Sequence, residues 1–279
     1  MESGAEAPQG LSLPADLVPW ITYAALGVFV GFFSGLLGIG GGSMIVPVLG
    51  LTFVAFNFSP DQVLHLSLGT SLAAMIVSTA SSTRAHHRLG AVRWDIVKLL
   101  APGIALAGLA SGVIARALPL TFLKVFFLCF MGYVAYQIIF GLKPKPGHAV
   151  PGPIASAGVG LGIGALSSLA GVGGAMLSVP FMMYCSVGIH QAIATSAAIS
   201  FVVSVAGAVG FVGAGFAEPG LPPGSFGYVY LPAFIGISLT SSFLAPLGAR
   251  TAHGMPVAKL KKMFALLLLV LAGKLAYSL

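Results

Sequence analysis

Long apolar segments alternate with short polar, Pro-rich or Gly-rich breaks along the whole chain. A helix that crosses a lipid bilayer needs about 20 predominantly apolar residues, and dividing the chain at these breaks gives ten helical pieces. They cover approximately residues 17–37, 43–58, 62–84, 95–116, 119–142, 153–170, 174–187, 190–216, 226–248 and 257–278. The pattern predicts an all-α integral membrane protein.

The ten pieces fall into two groups of five that are similar in sequence. Three motifs recur in the same order: GFFSGLLGIGGG from Gly31 as GALSSLAGVGGA from Gly164, HLSLGTS from His65 as HQAIATS from His190, and PLTFLKVFF from Pro119 as PVAKLKKMF from Pro256. The sequence therefore predicts a polar tail at 1–16, a first repeat at 17–142, a cytoplasmic linker at 143–152 and a second repeat at 153–279.

The positions of the cations predict how the repeats are oriented. Lys and Arg accumulate on the cytoplasmic side of membrane proteins. They cluster here in and beside the loops 85–94, 143–152 and 249–256, the last cluster running from Arg250 to Lys262, whereas loop 217–225 carries an acid and no cation. If the first three loops are cytoplasmic and the last is external, each repeat crosses the membrane an odd number of times. The repeats are then inverted, with both termini outside, whether the hairpin at each Gly-rich motif spans the membrane fully or is re-entrant.

Composition excludes several classes of protein. Apolar residues make up 57% of the chain and charged residues 7%. Charged residues at this frequency are too few to cover the surface of a soluble domain. The net charge of +7 lies in clusters between apolar segments, which is typical of lipid headgroup contacts and not of nucleic-acid binding. No nucleophile–base pair or metal-ligand spacing is present, so we expect neither an enzyme nor a cofactor. A receptor subunit is disfavoured because no sizeable polar domain exists.

Two Gly-rich breaks are the leading candidates for a binding site. The first glycine motif (Gly38–Gly42) and the second glycine motif (Gly171–Ala175) each interrupt an apolar run just before a new helix. Free helix N-termini attract anions through unpaired N–H groups and the helix dipole, and paired broken helices in inverted repeats are typical of transporters. The N–H donors are predicted to come from Gly40, Gly41, Gly42, Ser43, Gly173, Gly174 and Ala175. The alternative is that these glycines only permit close helix packing.

Hydroxyl, imidazole and guanidinium groups follow the motifs. Thr70, Ser71, Thr195 and Ser196 occupy repeated positions and are predicted to donate to the same anion, although Ser and Thr also satisfy neighbouring helices or their own backbone. His65 and His190 are candidates for anion contact or proton relay, or ordinary interfacial histidines. Arg84 serves either an anion-collecting vestibule or a headgroup anchor.

The positions of the acidic residues indicate which charge the transported ligand carries. None of the six Asp and Glu residues falls in the middle of a predicted span, where a cation pump or a carboxylate proton relay normally needs one. A pathway without carboxylates is neutral to positive, so the sequence favours an anion.

These motifs resemble the TauE/SafE family of sulfite exporters, also called the TSUP family. The resemblance runs from about Gly27 to the end, and is carried by the two glycine motifs with Pro47 and Pro180 and by the two Thr-Ser pairs. It implies a bacterial inner-membrane carrier that moves sulfite, sulfonates or related sulfur-containing anions, often outward. The second copy ends in Ala175 where the first has Gly42, and Ser168 replaces Gly35, so the two half-sites need not bind equally.

The sequence thus predicts an all-α, inverted-repeat transporter whose partners are membrane lipid and a small sulfur oxyanion or organosulfonate. An importer, or an exporter of another organic anion, is the alternative. The oligomeric state stays open, a homo-oligomer included, as do the coupling ion and the identity of the anion.

Overall fold

A computed structural model describes residues 17–37, 42–141, 147–252 and 257–278. This part of the chain forms ten α-helices and one small antiparallel hairpin. The elements are α1 (Leu17–Leu37), α2 (Gly42–Ala55), α3 (Pro60–Arg88), α4 (Trp94–Ala117), α5 (Leu120–Phe140), α6 (Pro153–Leu169), α7 (Ala175–Tyr184), α8 (Ile189–Gly215), β1 (Ser225–Phe226), β2 (Val229–Tyr230), α9 (Leu231–Ala252) and α10 (Val257–Ser278).

The helices confirm the all-α prediction, and most begin and end within a few residues of the predicted bounds. In lipid every backbone N–H and C=O group needs a partner within the protein, and a helix supplies that partner locally. Among the described helices, α3, α4, α5 and α8 are long and apolar enough to cross a membrane. The remaining helices include the short α2 and α7, which follow the two glycine motifs.

The packing brings the two halves of the chain together. In the described part, α1 packs along α9, and α6 packs along α4, so the first helix of each half lies against the fourth helix of the other. The α3 helix is packed against α8, and α5 against α10. Glycines let α4 and α8 approach closely: a Cβ atom on Gly112 would lie 2.5 Å from the carbonyl carbon of Gly210.

The hairpin corrects the prediction that a helix begins near residue 226. Ser225 pairs with Tyr230 and Phe226 with Val229, and the turn between them contains Gly227 at a φ of +56°. Glycine adopts this left-handed conformation without steric cost, so the chain reverses direction here and α9 begins at Leu231. The α3 helix also runs to Arg88, beyond its predicted end at 84.

Candidate functional site

The second glycine motif is a structured break between α6 and α7. At the end of α6, Gly171 has a φ of +64°, and its N–H donates to the Ser168 carbonyl at 3.0 Å while the Val172 N–H donates to the Ser167 carbonyl at 2.9 Å. This pair of bonds is a Schellman motif, which ends a helix and needs a left-handed residue. The glycine at 171 is therefore what stops α6 at this position.

The α7 helix then begins with unused donors. The Gly174 carbonyl accepts the N–H groups of Leu177 and Ser178 at 3.2 and 2.9 Å, and no side chain caps the helix. Within the described part of the chain, no group accepts a hydrogen bond from the N–H groups of Gly173, Gly174, Ala175 or Met176. Gly173 and Gly174 are buried. The start of α7 therefore presents free N–H groups in the interior, together with the positive end of the helix dipole.

The start of α2 meets the second glycine motif directly. Gly42, the first residue of α2, lies so close that a Cβ atom on it would be 3.1 Å from Val172 Cα. The side chain of Met75 in α3 lies between the two helix starts: added Cβ atoms on Gly42 and Gly173 would both collide with its thioether end. Met75 is 1% exposed, so it fills the gap between the two glycine motifs.

The remaining site residues predicted around the first glycine motif are Gly40, Gly41 and Ser43. Gly40 and Gly41 lie outside the described residues. Ser43 lies in the first turn of α2 and is buried.

The repeated hydroxyls of α3 hold neighbouring backbone. Ser71 Oγ donates to the Gly171 carbonyl at 2.8 Å, which ties α3 to the second glycine motif. Thr70 Oγ1 accepts the N–H of Tyr230, the residue before α9, at 2.9 Å. Both side chains are fully buried.

The corresponding hydroxyls of α8 behave in a related way. Thr195 Oγ1 accepts the N–H of Arg93, the residue before α4, at 3.0 Å. Each of the two threonines therefore receives the N–H group that precedes the fourth helix of the other half. Ser196 Oγ instead donates to the Ile193 carbonyl of its own helix at 2.7 Å.

A second matched pair of hydrogen bonds lies one to two turns further along α3 and α8. Thr79 Oγ1 donates to the Met75 carbonyl at 2.6 Å, and Ser204 Oγ donates to the Ser200 carbonyl at 2.7 Å. Both residue pairs are related by the same offset of 125 residues as the two Thr-Ser pairs. Met75 and Ser200 are thus equivalent positions, and both lie beside Gly173.

Three serines beside the second glycine motif are buried without hydrogen-bond partners in the described part of the chain, although the sequence did not indicate a role for them. Ser167, Ser168 and Ser178 are each 0% exposed, and among the described residues none of their hydroxyl groups has a hydrogen-bond partner. Sequence reasoning missed them because serine in a helix usually satisfies itself on its own backbone.

The two candidate histidines occupy different environments. His65 is 8% exposed, and its Nδ1 and Nε2 atoms lie 3.2 and 3.1 Å from the carbonyl oxygens of Asp61 and Ala115. Carbonyls only accept hydrogen bonds, so the neutral ring donates to one of them and the imidazolium to both. His190, at the start of α8, is exposed, and so is Arg84 near the end of α3.

A polar cluster covers His65 at the end of the bundle that contains the hairpin. The Tyr228 ring stacks on the imidazole with 5.1 Å between centroids, and Arg116 forms an ion pair with Glu218 at 3.1 Å. Burial, with the Glu218 carboxylate beside it, raises the pKa of Tyr228 to about 12. The charged groups therefore lie at the end of the helices.

The helices around the glycine motifs carry no formal charge. No Asp, Glu, Lys or Arg occurs from residue 149 to 217 or from 63 to 83, ranges that contain α6, α7, α8 and most of α3. A ligand at these helix starts therefore meets backbone N–H groups and hydroxyls, and no buried carboxylate repels an anion.

Comparison with known proteins identifies related sequences. The family described as "Sulfite exporter TauE/SafE" matches residues 23–275. A "Probable membrane transporter protein" of Haemophilus influenzae is 36% identical over 248 residues, covering 88% of this chain and 94% of that protein. "Probable membrane transporter protein YunE" of Bacillus subtilis is 27% identical over 210 residues, 68% of this chain and 77% of that protein. No solved structure matches the chain.

Proposed function

The chain belongs to the TauE/SafE family of sulfite exporters, a family of membrane transporters and not of enzymes, and on that premise we propose that it carries small sulfur-containing oxyanions. Sulfite and organosulfonates are the proposed substrates, and the bacterial inner membrane is the proposed location. The cargo class rests on the family and on the chemistry of the two glycine motifs taken together.

The proposal rests on one observation. The first turns of α2 and α7 meet in an interior without charged side chains. Gly42 at the start of α2 and Gly173 before α7 both adjoin Met75, and the N–H groups of Gly173 to Met176 are unused in the described structure. Helix N-termini stabilise anions by their free N–H groups and by the helix dipole. The hydroxyl groups of Thr70 and Thr195 accept backbone N–H groups and keep their own protons, and they are proposed to donate to the anion without adding charge. Ser71 and Ser196, also expected as donors, already donate their protons to carbonyls and would have to exchange these bonds to reach it. Gly40 and Gly41 are proposed to supply N–H groups from the first motif.

We further infer an inverted repeat with both termini outside. The matched pairing between halves supports the repeat: α1 lies on α9 as α6 lies on α4, and Thr70 and Thr195 each accept the N–H before the fourth helix of the other half. The orientation is inferred from the cations of the loops alone. In such an arrangement, small movements of one half against the other expose a central site to each side in turn.

Export needs no coupled ion in this proposal. An inside-negative potential drives an anion outward with about 2.3 kcal/mol per charge per 100 mV. If protons are coupled, His65 and His190 are the proposed relay, because residues 63–83 and 149–217 contain no carboxylate.

Transport by purified protein in liposomes tests the function. Sulfite, sulfate, taurine, sulfoacetate and, for comparison, acetate are offered singly, with an imposed membrane potential, and we expect saturable flux of at least one sulfur oxyanion. Uptake of none of them, with flux of a carboxylate instead, would favour the alternative of another organic anion. Flux against the direction of the potential, or directed only inward, would favour an importer.

A glycine pair tests the site. A Cβ atom in Gly173→Ala would lie 2.7 Å from Met75 Cε and 3.0 Å from Ser200 Oγ, so it enters the gap between the helix starts and displaces only side-chain ends. We expect folded protein with flux reduced about tenfold or more, equivalent to about 1.4 kcal/mol or more of lost stabilisation. Gly162→Ala on α6 is the control, since no heavy atom lies within 4 Å of its added Cβ. Wild-type flux in Gly173→Ala would leave packing as the motif's role.

A further inference from the structure

Resting on the proposed function, we propose that the oxyanion head group binds at the second glycine motif and not equally at both, held by the hydroxyl groups of Ser168 and Ser178 and the free N–H groups at the start of α7. The proposal concerns a subsite that the repeated Thr-Ser pattern does not include. Ser167 contributes a third hydroxyl in the last turn of α6.

The behaviour of other helical serines shows that these hydroxyls are unusual. In α3 and α8, Ser67, Ser196 and Ser204 each donate to a carbonyl three or four residues earlier, at 2.7 Å. Ser168 and Ser178 are equally buried in helices and make no such bond. Their side chains therefore adopt orientations that leave the local acceptor unused.

The orphan hydroxyls are concentrated beside the break. Ser167 and Ser168 accept the two Schellman bonds with their carbonyls, and the Ser178 N–H bonds back to Gly174, so all three residues belong to the helix turns that bracket the motif. Among the described residues, the other buried side-chain atoms without partners are scattered over α1, both ends of α3, β1 and α9: they belong to Tyr23, Gln62, Thr83, Ser225 and Ser238.

The Ser168 hydroxyl lies beside α8 and α3, next to Gly207 and Leu72. A Cβ atom on Gly207 of α8 would lie 3.1 Å from Ser168 Oγ and 2.9 Å from Leu72 Cδ1 of α3. Leu72 precedes Met75 by three residues on α3, and such residues share a helix face. The Ser168 hydroxyl thus lies between α3 and α8, beside the turn of α3 that precedes Met75.

The first half of the chain lacks two of these three hydroxyls: Ser167 has an equivalent in Ser34, whereas Ser168 and Ser178 have none. The first half in turn has Ser43 where the second has Met176. At the offset of 133 residues that relates the two glycine motifs, Ser168 corresponds to Gly35 and Ser178 to Ile45, while Ser200 corresponds to Met75 at the offset of 125. Three hydroxyl positions of the second half are therefore glycine or apolar in the first. An equal two-site arrangement would not need this difference.

The cost of burying a hydroxyl without a partner indicates which kind of ligand the subsite binds. A buried hydroxyl without a partner is destabilising by about 1–3 kcal/mol, so native proteins keep such groups where a ligand or water uses them. Neutral donors arranged beside free N–H groups suit a head group with several acceptor oxygens. A sulfonate offers three such oxygens and a carboxylate two. We therefore expect the subsite to prefer a sulfonate to a carboxylate of similar size.

The double variant Ser168→Ala, Ser178→Ala tests the subsite. Its thermal unfolding and its transport are measured with methanesulfonate and acetate as probes. Removing orphan hydroxyls is expected to leave the unfolding midpoint without ligand unchanged or raised. The methanesulfonate-induced rise of the midpoint is expected to disappear, and KM for methanesulfonate is expected to rise about tenfold or more, so that the preference over acetate is lost. Ser204→Ala is the matched control: its buried hydroxyl is satisfied, so the midpoint should fall while the ligand-induced rise persists.

The outcomes separate this proposal from the proposed function. If the double variant keeps the wild-type KM and ligand-induced rise while wild-type protein transports sulfur oxyanions, water alone satisfies the hydroxyls and the subsite is refuted. If wild-type protein transports no sulfur oxyanion, the proposed function fails and the subsite fails with it. Loss of the ligand-induced rise in Ser204→Ala as well would also contradict the assignment, because a satisfied hydroxyl would matter as much as an orphan one.

Discussion

Replacing Thr70 by Val should separate a structural hydroxyl from a ligand-binding one. Valine has nearly the shape of threonine, so the change removes the acceptor of the Tyr230 N–H bond, 2.9 Å long, without leaving a cavity. A buried N–H left without an acceptor costs about 1–3 kcal/mol. Thr70 is 0% exposed, and the expected loss of unfolding free energy is therefore in that range.

The environment of Tyr230 supports the size of this effect. Its ring packs edge-on against Phe53 and Phe58 at 5.6 and 5.2 Å between centroids, which holds this half-buried residue before α9 in place. Thr70→Ser retains the oxygen and loses one methyl group, so we expect a loss of about 1 kcal/mol or less. Thr195→Val should cost the lower end of the range, because Arg93 lies in a loop where water replaces the lost acceptor.

Reversible unfolding in mixed micelles with increasing SDS measures the three variants, and KM for sulfite is measured beside it. The expected order of stability is wild type, Thr70→Ser, Thr195→Val, Thr70→Val. In a fourth protein that carries both valines, the two losses should add because the residues lie at separate places. Thr70→Val as stable as Thr70→Ser would refute the hydrogen-bond argument. The proposed function adds that KM for sulfite rises in Thr70→Val, because the O–H of Thr70 is proposed to donate to the anion; a wild-type KM would leave Thr70 with a structural role alone.

Three further predictions concern packing, pH and orientation. Gly112→Ala should lower the unfolding free energy by about 2 kcal/mol or more through backbone collision between α4 and α8, whereas Gly158→Ala, with open space around its Cβ, should raise it by up to about 1 kcal/mol; equal stability of the two variants would contradict this. Because the pKa of Tyr228 is raised to about 12, its stabilising contribution is complete below about pH 10 and is lost as pH rises toward 12; the unfolding midpoint should fall over that range in wild type and fall less in Tyr228→Phe, where burial still raises the pKa of Tyr230. Single cysteines, in a background without native cysteines, should react with an impermeant thiol reagent in loop 217–225 and not in 249–256; labelling of both loops would contradict the inverted repeat.

The apolar pattern determined the helices of this protein well. The predicted piece 257–278 is α10 (Val257–Ser278), and 153–170 is α6 (Pro153–Leu169) within one residue. These bounds follow from a local cause. Lipid offers no hydrogen-bond partner to the backbone, so each apolar segment forms a helix that pairs its own N–H and C=O groups. The hairpin at 225–230 was missed because it lies between spans, where glycine turns and not hydrophobicity decide the path of the chain.

The glycine breaks were also predictable as breaks, because glycine permits the positive φ at Gly171 that ends α6. Their meeting was a prediction from the repeat, and the contact of Gly42 with Val172 and Met75 comes from the packing. Sequence spacing places a residue on a helix face, but does not say which element lies opposite that face.

Only the tertiary structure decided which polar groups are already used. Thr70 and Thr195 accept bonds from backbone 160 and 102 residues away in sequence, and repeated positions give a buried His65 and an exposed His190. Ser168 and Ser204 look alike in a helical sequence, yet the first has no partner among the described residues and the second has one. Hydrogen-bond satisfaction depends on non-local partners and on water-free surroundings, and the chain creates both only when its two halves pack together.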